Sequence, residues 1–190
     1  MRHNALWITL FCGLMACNNA PESVSAKARV MSKTGAVWGR DLANGLGLQT
    51  WELCNELGSY DCIEDAHRVT LGGVEPTALG IDDPLPNASV SAPIAVDRVA
   101  VSACAERYTR DQAGTPVIFG AVLDKDNKRH RKDVGTLLVQ RLLGREPNDA
   151  ELDAIEGLHD TLEPISTDLT RDWSIGACVM VATSTEALFY

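Results

Sequence analysis

The chain has no G-x-S-x-G nucleophile turn, no H-E-x-x-H and no phosphate-cradling glycine motif, so the usual signatures of serine hydrolases, zinc proteases and nucleotide binders are missing. It has no C-x-x-C-H, which excludes covalent c-type haem by that motif. It has no apolar run near the ~20 residues that a membrane-spanning helix needs. Basic residues are in deficit: 17 Lys and Arg stand against 26 Asp and Glu, a formal charge of −9. That balance argues against nucleic acid as a partner and against a peripheral hold on anionic lipid.

Residues 1–16 have the parts of a secretory signal: a basic start at Arg2, the apolar stretch "ALWITLFCGLMA", and a small residue at its end. The next residue is Cys17, and "LMAC" resembles the bacterial lipobox, in which Leu precedes two small or neutral residues and an obligatory Cys. The resemblance implies a diacylglycerol on the Cys17 sulfur, cleavage before it, and acylation of the new amine. One acyl chain gives only marginal membrane binding, whereas several on one residue make a lasting tether. The alternative is an ordinary signal peptide cut elsewhere, for instance after Ala20. By the same resemblance, Asn18 after the anchor points to the outer membrane. The expected mature chain, Cys17 to Tyr190, has 174 residues, enough for one domain with a real core, and the loss of Arg2 takes its charge to −10.

Four further cysteines, Cys54, Cys62, Cys104 and Cys178, read in an exported protein as two disulfides with three connectivities open. "CNELGSYDC" most plainly closes on itself, which leaves Cys104 for Cys178 and staples two distant helices. Loop-closure entropy is worth about 2.5 kcal/mol for the short loop and about 4.5 for the long one. A metal reading uses Cys54, Cys62 and His67, but C-x7-C-x4-H lacks the tight C-x2-4-C half of structural zinc sites. No motif implies a cofactor.

The periodicity predicts a mainly α fold: one compact helical domain over residues 34–190, reached through a lipidated, flexible, small-residue-rich tether at 17–33. Residues 34–57 carry helical spacings interrupted by Gly39, Gly45 and Gly47, which predicts one broken helix or two short ones. The Gly- and Pro-rich stretch 67–92 predicts a long ordered loop, with room for a short strand at "RVTL". Ser91 and Pro93 open a helix that ends before Gly114. "PVIFGAVL" is ambiguous between strand and helix, and "DKDNKRHRKD" reads as a solvated loop or helix start, with a partner-binding patch as the alternative. Asp133 caps a helix ending at Gly144, Asn148 or Asp149 starts an acidic one, and Thr170 begins a third, apolar on most sides and therefore central.

"RLLGREPNDAEL", a buried helix and then "ATSTEALFY" together resemble a helical module of exported bacterial proteins, found in myxobacterial-type lipoproteins of unknown function and in cytochrome-associated planctomycete-type proteins. The match covers about residues 137–190, and the missing haem motif separates this chain from the cytochrome-associated group. Physically, Gly144 caps, Arg145 reaches carbonyls or acids, Pro147 starts the next helix, and Leu188, Phe189 and Tyr190 close the core.

Candidate chemistry is sparse. His130 lies in the basic run and His159 on a polar helix face. His67, with Glu64 and Asp65, sits between the small disulfide loop and the Gly-rich loop, where function concentrates on a rigid scaffold. Two readings follow. In the first, the protein is lipid-anchored at the cell envelope, in contact with the membrane through its lipid, and binds an envelope protein without catalysis. In the second, it is an enzyme or a redox or metal accessory with its site near His67. A cleft holding His67 with convergent carboxylates would favour the second; an exposed apolar patch would favour the first.

Overall fold

The computed structural model describes residues 31–73 and 91–190. The expected signal, Cys17, most of the tether and most of the Gly/Pro-rich loop lie outside these residues. Helices α1 (Gly35–Leu46), α2 (Ala92–Ala113), α3 (Gly120–Asp124), α4 (Lys128–Leu143), α5 (Asp149–Leu162), α6 (Leu169–Ala182) and α7 (Thr185–Leu188) surround one continuous core. Two short strands, β1 (Asn55–Glu56) and β2 (Tyr60–Asp61), form an antiparallel ribbon. The fold is mainly α, as the periodicity predicts.

The central helix is α6, which packs against α2, α4 and α5. Trp173, Ser174, Ala177 and Cys178 on its length are wholly buried. The Trp173 indole N–H donates to the Ile155 carbonyl at 3.0 Å, so the bulkiest buried side chain also ties α6 to α5. Cys178 is bonded to Cys104 of α2, and Cys54 to Cys62, the pairing read from spacing. No helix among the described residues is long and apolar enough to cross a membrane.

Residues 35–46 form one unbroken helix, and the glycines that lower its propensity are what let it pack. A side chain at Gly39 would run into Ile63, and one at Gly45 would meet Leu142 and the Arg141 carbonyl of α4. Tertiary contact outweighs the roughly 1 kcal/mol that each helical glycine costs. Gly47, in the left-handed region at φ 65°, ends the helix.

The "RVTL" strand does not form. Residues 68–72 make turns, closed by Leu71 N–H to His67 O and Gly73 N–H to Arg68 O, and Leu71 is buried against Gly35. "PVIFGAVL" becomes a bend followed by α3, because Asp111 at the end of α2 accepts the backbone N–H groups of Val117, Ile118 and Phe119 at 2.7–2.9 Å. Arg107 meets the same carboxylate at 2.8 Å, so the buried acid has a charged partner as well.

The basic run is not simply solvated. Asn127, not Asp133, caps α4, accepting from His130 N–H, so the helix starts six residues before the expected point. His130 is half-buried, its Nδ1 2.7 Å from the Lys125 carbonyl. Arg131 is buried and bridges Asp126 (2.7 Å) and Glu156 (3.2 Å), while Lys128 and Lys132 reach Glu156 and Asp153. The basic face of α4 therefore pairs with the acidic face of α5. His159 is likewise half-buried, not solvated.

In the C-terminal module Gly144 adopts φ 71° and ends α4. Pro147 precedes the N-cap, Asn148, which forms a capping box with Glu151. Arg145 binds Glu151 and Glu186 with paired nitrogens at 2.6–2.9 Å and also donates to the Glu146 carbonyl. This fork joins the α4–α5 turn to α7. Leu188 packs on the core, but Phe189 and Tyr190 stay exposed. Residues 188–190 pair instead with 31–33: Ser32 is bridged to Phe189, Lys33 N–H donates to Leu188 O, and Tyr190 N–H to Met31 O.

Two outcomes follow from this packing. The Arg145 fork, and then the Asn148 N–H, hold the Glu151 carboxyl at about 2, down from 4.5. A group depressed on folding stabilises above its unfolded pKa and loses that effect as the pH falls through the folded one. Glu151→Gln can keep the capping-box acceptor while removing the charge and one of the two oxygens that Arg145 grips. In denaturant titrations the stability gap between the parent and this variant should be complete above about 4.5, shrink below it and close near 2. Separately, the Ser174 hydroxyl is wholly buried with no partner. Ser174→Ala should raise unfolding stability by about 1 kcal/mol; a loss would show that the hydroxyl is satisfied in solution.

Candidate binding cleft beside the small disulfide

The Cys54–Cys62 bond spans eight residues and closes the β1–β2 ribbon, with Asn55 opposite Asp61 and Glu56 opposite Tyr60. Asp61 then caps a single π-helical turn, Cys62–Ala66, accepting the N–H groups of Ile63 and Glu64 at 2.7 and 2.8 Å. The Asp65 carboxylate turns back to the Asp61 N–H at 3.0 Å. Ile63 and Cys62 are buried under α1, so ribbon and turn are fixed to the core. Such π turns recur at functional sites because they re-aim side chains within a rigid element.

Between the ribbon and the turn lies an open cleft of about 540 Å³. Glu56, Glu64 and Asp65 line it with carboxylates, and Arg68 adds one guanidinium. Leu57, Tyr60 and Val69 supply apolar walls. Leu57 is 93% exposed and Val69 76%, and Tyr60 is exposed too.

Leu57 also has a costly backbone. It sits at φ 53° and Gly58 at φ 70°, the handedness of a type I′ turn, where Asn, Asp or Gly is the usual first residue. A leucine there costs about 1 kcal/mol and buries nothing in return. Neither propensity nor burial accounts for it, which is the kind of local conflict that marks a functional position.

The structure keeps Glu64 and Asp65 together on the cleft but turns His67 away from its lining. The His67 Nε2 lies 2.9 Å from Glu56 Oε1, and Arg98 Nε approaches the same oxygen at 3.2 Å. Glu56 thus joins the cleft to a His–Arg pair behind it: Arg98 ties the ribbon to α2, and His67 ties it to the end of the π turn. The metal reading loses its ligands, since the Cys54 and Cys62 sulfurs are bonded to each other. Among the described residues no group of three His, Cys, Asp or Glu side chains is placed to hold a metal ion.

Sequence reasoning found Glu64, Asp65 and His67 from their place between two loops, and missed Glu56, Leu57, Tyr60, Val69 and Arg98. The available signal was "ELGSY" itself, a turn with leucine before glycine inside a disulfide loop. Arg98 had none, because it comes from α2 across a gap of more than thirty residues.

Leu57→Asn removes the strain and should raise unfolding stability by about 0.5–1 kcal/mol, measured by chemical denaturation. A destabilised variant would mean that Leu57 packs on something in the folded protein, and the argument for a functional leucine would fall. No family model matches the chain, and no curated protein or solved structure shows significant similarity to it.

Proposed function

We propose that this is a lipid-anchored protein of the cell envelope, held at the outer membrane by Cys17, whose helical body binds a partner protein at the cleft and catalyses no reaction. The observation that carries the binding role is Leu57: a large apolar side chain held out in water at a strained turn, with Tyr60 and Val69 beside it. The disulfide and the π turn keep that surface from reorganising, which lowers the entropy lost on association. Glu56, Glu64 and Asp65 surround the apolar group with negative charge, so the matching surface has an apolar pocket rimmed by Lys or Arg.

The anchor rests on the lipobox-like "LMAC" and on Asn18. The non-catalytic reading rests on His67, whose Nε2 is engaged by Glu56 behind the cleft and not presented within it.

A photo-crosslinking amino acid at position 57 or 60, introduced in the native cell, should trap one discrete protein adduct. The same probe at the exposed Ile165 should not. Glu64→Lys should abolish the adduct. Equal labelling at all three positions, or none at 57 and 60, would overturn the binding role.

A further inference from the structure

The cleft beside the small disulfide joins two kinds of surface that one guest has to satisfy together. Leu57, Tyr60 and Val69 are exposed there, side by side with the carboxylates of Glu56, Glu64 and Asp65. Arg68 is the single cation of that lining, and its Nε donates to the Gly73 carbonyl at 3.1 Å. Three carboxylates against one guanidinium leave the lining at −2, and counting Arg98 behind it brings the sum only to −1.

Glu56 is held from one side. Both of its contacts, to His67 Nε2 at 2.9 Å and to Arg98 Nε at 3.2 Å, fall on Oε1, which is shut off from solvent. Its Oε2 accepts no hydrogen bond from the described residues, so a fixed carboxylate keeps one oxygen for a guest in the cleft that it lines. Glu64 is exposed, and within the fold only its backbone is engaged, by Asp61 at 2.8 Å. Asp65 uses one oxygen, Oδ2, on the Asp61 N–H and leaves the other.

The chemistry of these groups narrows the guest. A purely apolar surface would strip water from carboxylates and return nothing to them. A metal ion finds no set of three ligands among the described residues, and the exposed Leu57 and Val69 offer it nothing. A free small cation needs enclosure, because small-molecule sites cover most of their ligand, and this cleft is open with Leu57 93% exposed. What fits is a cation on an apolar stem, carried in by a larger surface: a lysine or arginine of a protein. Between these two, the guanidinium has five donors in a planar fork suited to carboxylates, and it stacks on aromatic rings such as that of Tyr60.

We propose that the cleft receives one arginine side chain of the partner protein. Its stem lies along Leu57, Tyr60 and Val69, and its guanidinium is held by Glu56 Oε2, Glu64 and Asp65. The proposal rests on the reading of the cleft as a protein-binding surface.

The test adds short peptides to the isotope-labelled full chain in mild detergent and follows the backbone amide signals of residues 56–69 by NMR. Three peptides, Gly-Ser-Ala-X-Ala-Ser-Gly, differ only at X, which is arginine, lysine or citrulline, the uncharged isostere of arginine. The arginine peptide should bind at least about fivefold more tightly than the lysine peptide and about tenfold more tightly than the citrulline peptide. Glu56→Gln should weaken it about tenfold, and Glu64→Gln, at a side chain with no role in the fold, about fivefold. Tyr60→Ala should weaken it too, whereas Tyr60→Phe should not. Asp133→Asn, at an exposed acid of α4, should leave it unchanged. Equal binding of the three peptides, no saturable shift at millimolar peptide, or equal losses in Glu64→Gln and Asp133→Asn would overturn the proposal. Spermidine at equal concentration should not displace the arginine peptide; if it does, the cleft takes a free cation and not a partner's side chain. The cellular adduct at position 57 reads the protein-binding role separately. An adduct without a preference for arginine sinks the guest and spares the binding surface; arginine binding without an adduct does the reverse.

Discussion

The bond between Cys104 and Cys178 lies where the two helices that define the fold press together. Both sulfurs are wholly buried, and the link closes a loop of 74 residues that holds α3, α4 and α5. Everything in that loop must return α6 to the face of α2. The ion pairs of α4 with α5, the Asp111 anchor on the bend before α3 and the Trp173 hydrogen bond to α5 all lie inside it. By limiting the unfolded chain, the crosslink lets a domain with few aromatic residues hold a bundle of short helices.

Charge has two separate uses in this molecule. Inside the bundle it is local and paired: Arg131 between Asp126 and Glu156, Arg107 with Asp111, and Arg145 between Glu151 and Glu186. The Arg145 pairs are exposed and contribute little stability, whereas Arg107–Asp111 and Arg131–Glu156 are buried, so loss of one partner would strand a charge inside the bundle. At the small disulfide the acids have fewer partners, and there the surface also turns apolar. The contrast separates charges that build the fold from charges that face outward.

Much of the fold was legible because helices announce themselves by spacing. Helical spacing puts Val99, Ala100, Ala103 and Arg107 on one face of α2 and all four are buried, and Gly144 and Asn148 end and begin their helices as expected. The two disulfides followed from reading the N-terminus as an export signal and from the close spacing of Cys54 and Cys62. The failures share one cause, partners distant in sequence. Gly39 reads as a weak point until Ile63 is seen against it. Arg131 reads as solvated until Glu156, twenty-five residues on, is found beside it. "PVIFG" has no readable state without Asp111. At the cleft, the two acids and the histidine were legible as a neighbourhood, but their division into lining and backing was not. That division depends on Glu56 crossing the ribbon to His67 and Arg98.

The ribbon that joins residues 31–33 to 188–190 also has a mechanical meaning. A chain held at one end and pulled away from this edge loads the Tyr190–Met31 hydrogen bond first and the Lys33–Leu188 bond after it. The two open in sequence, like a zipper, and never share the load. Force then arrives at Thr34, the N-cap of α1, with the crosslinked bundle behind it still intact. A pull on the chain from before Met31 would therefore open this short ribbon before it reached the packed helices.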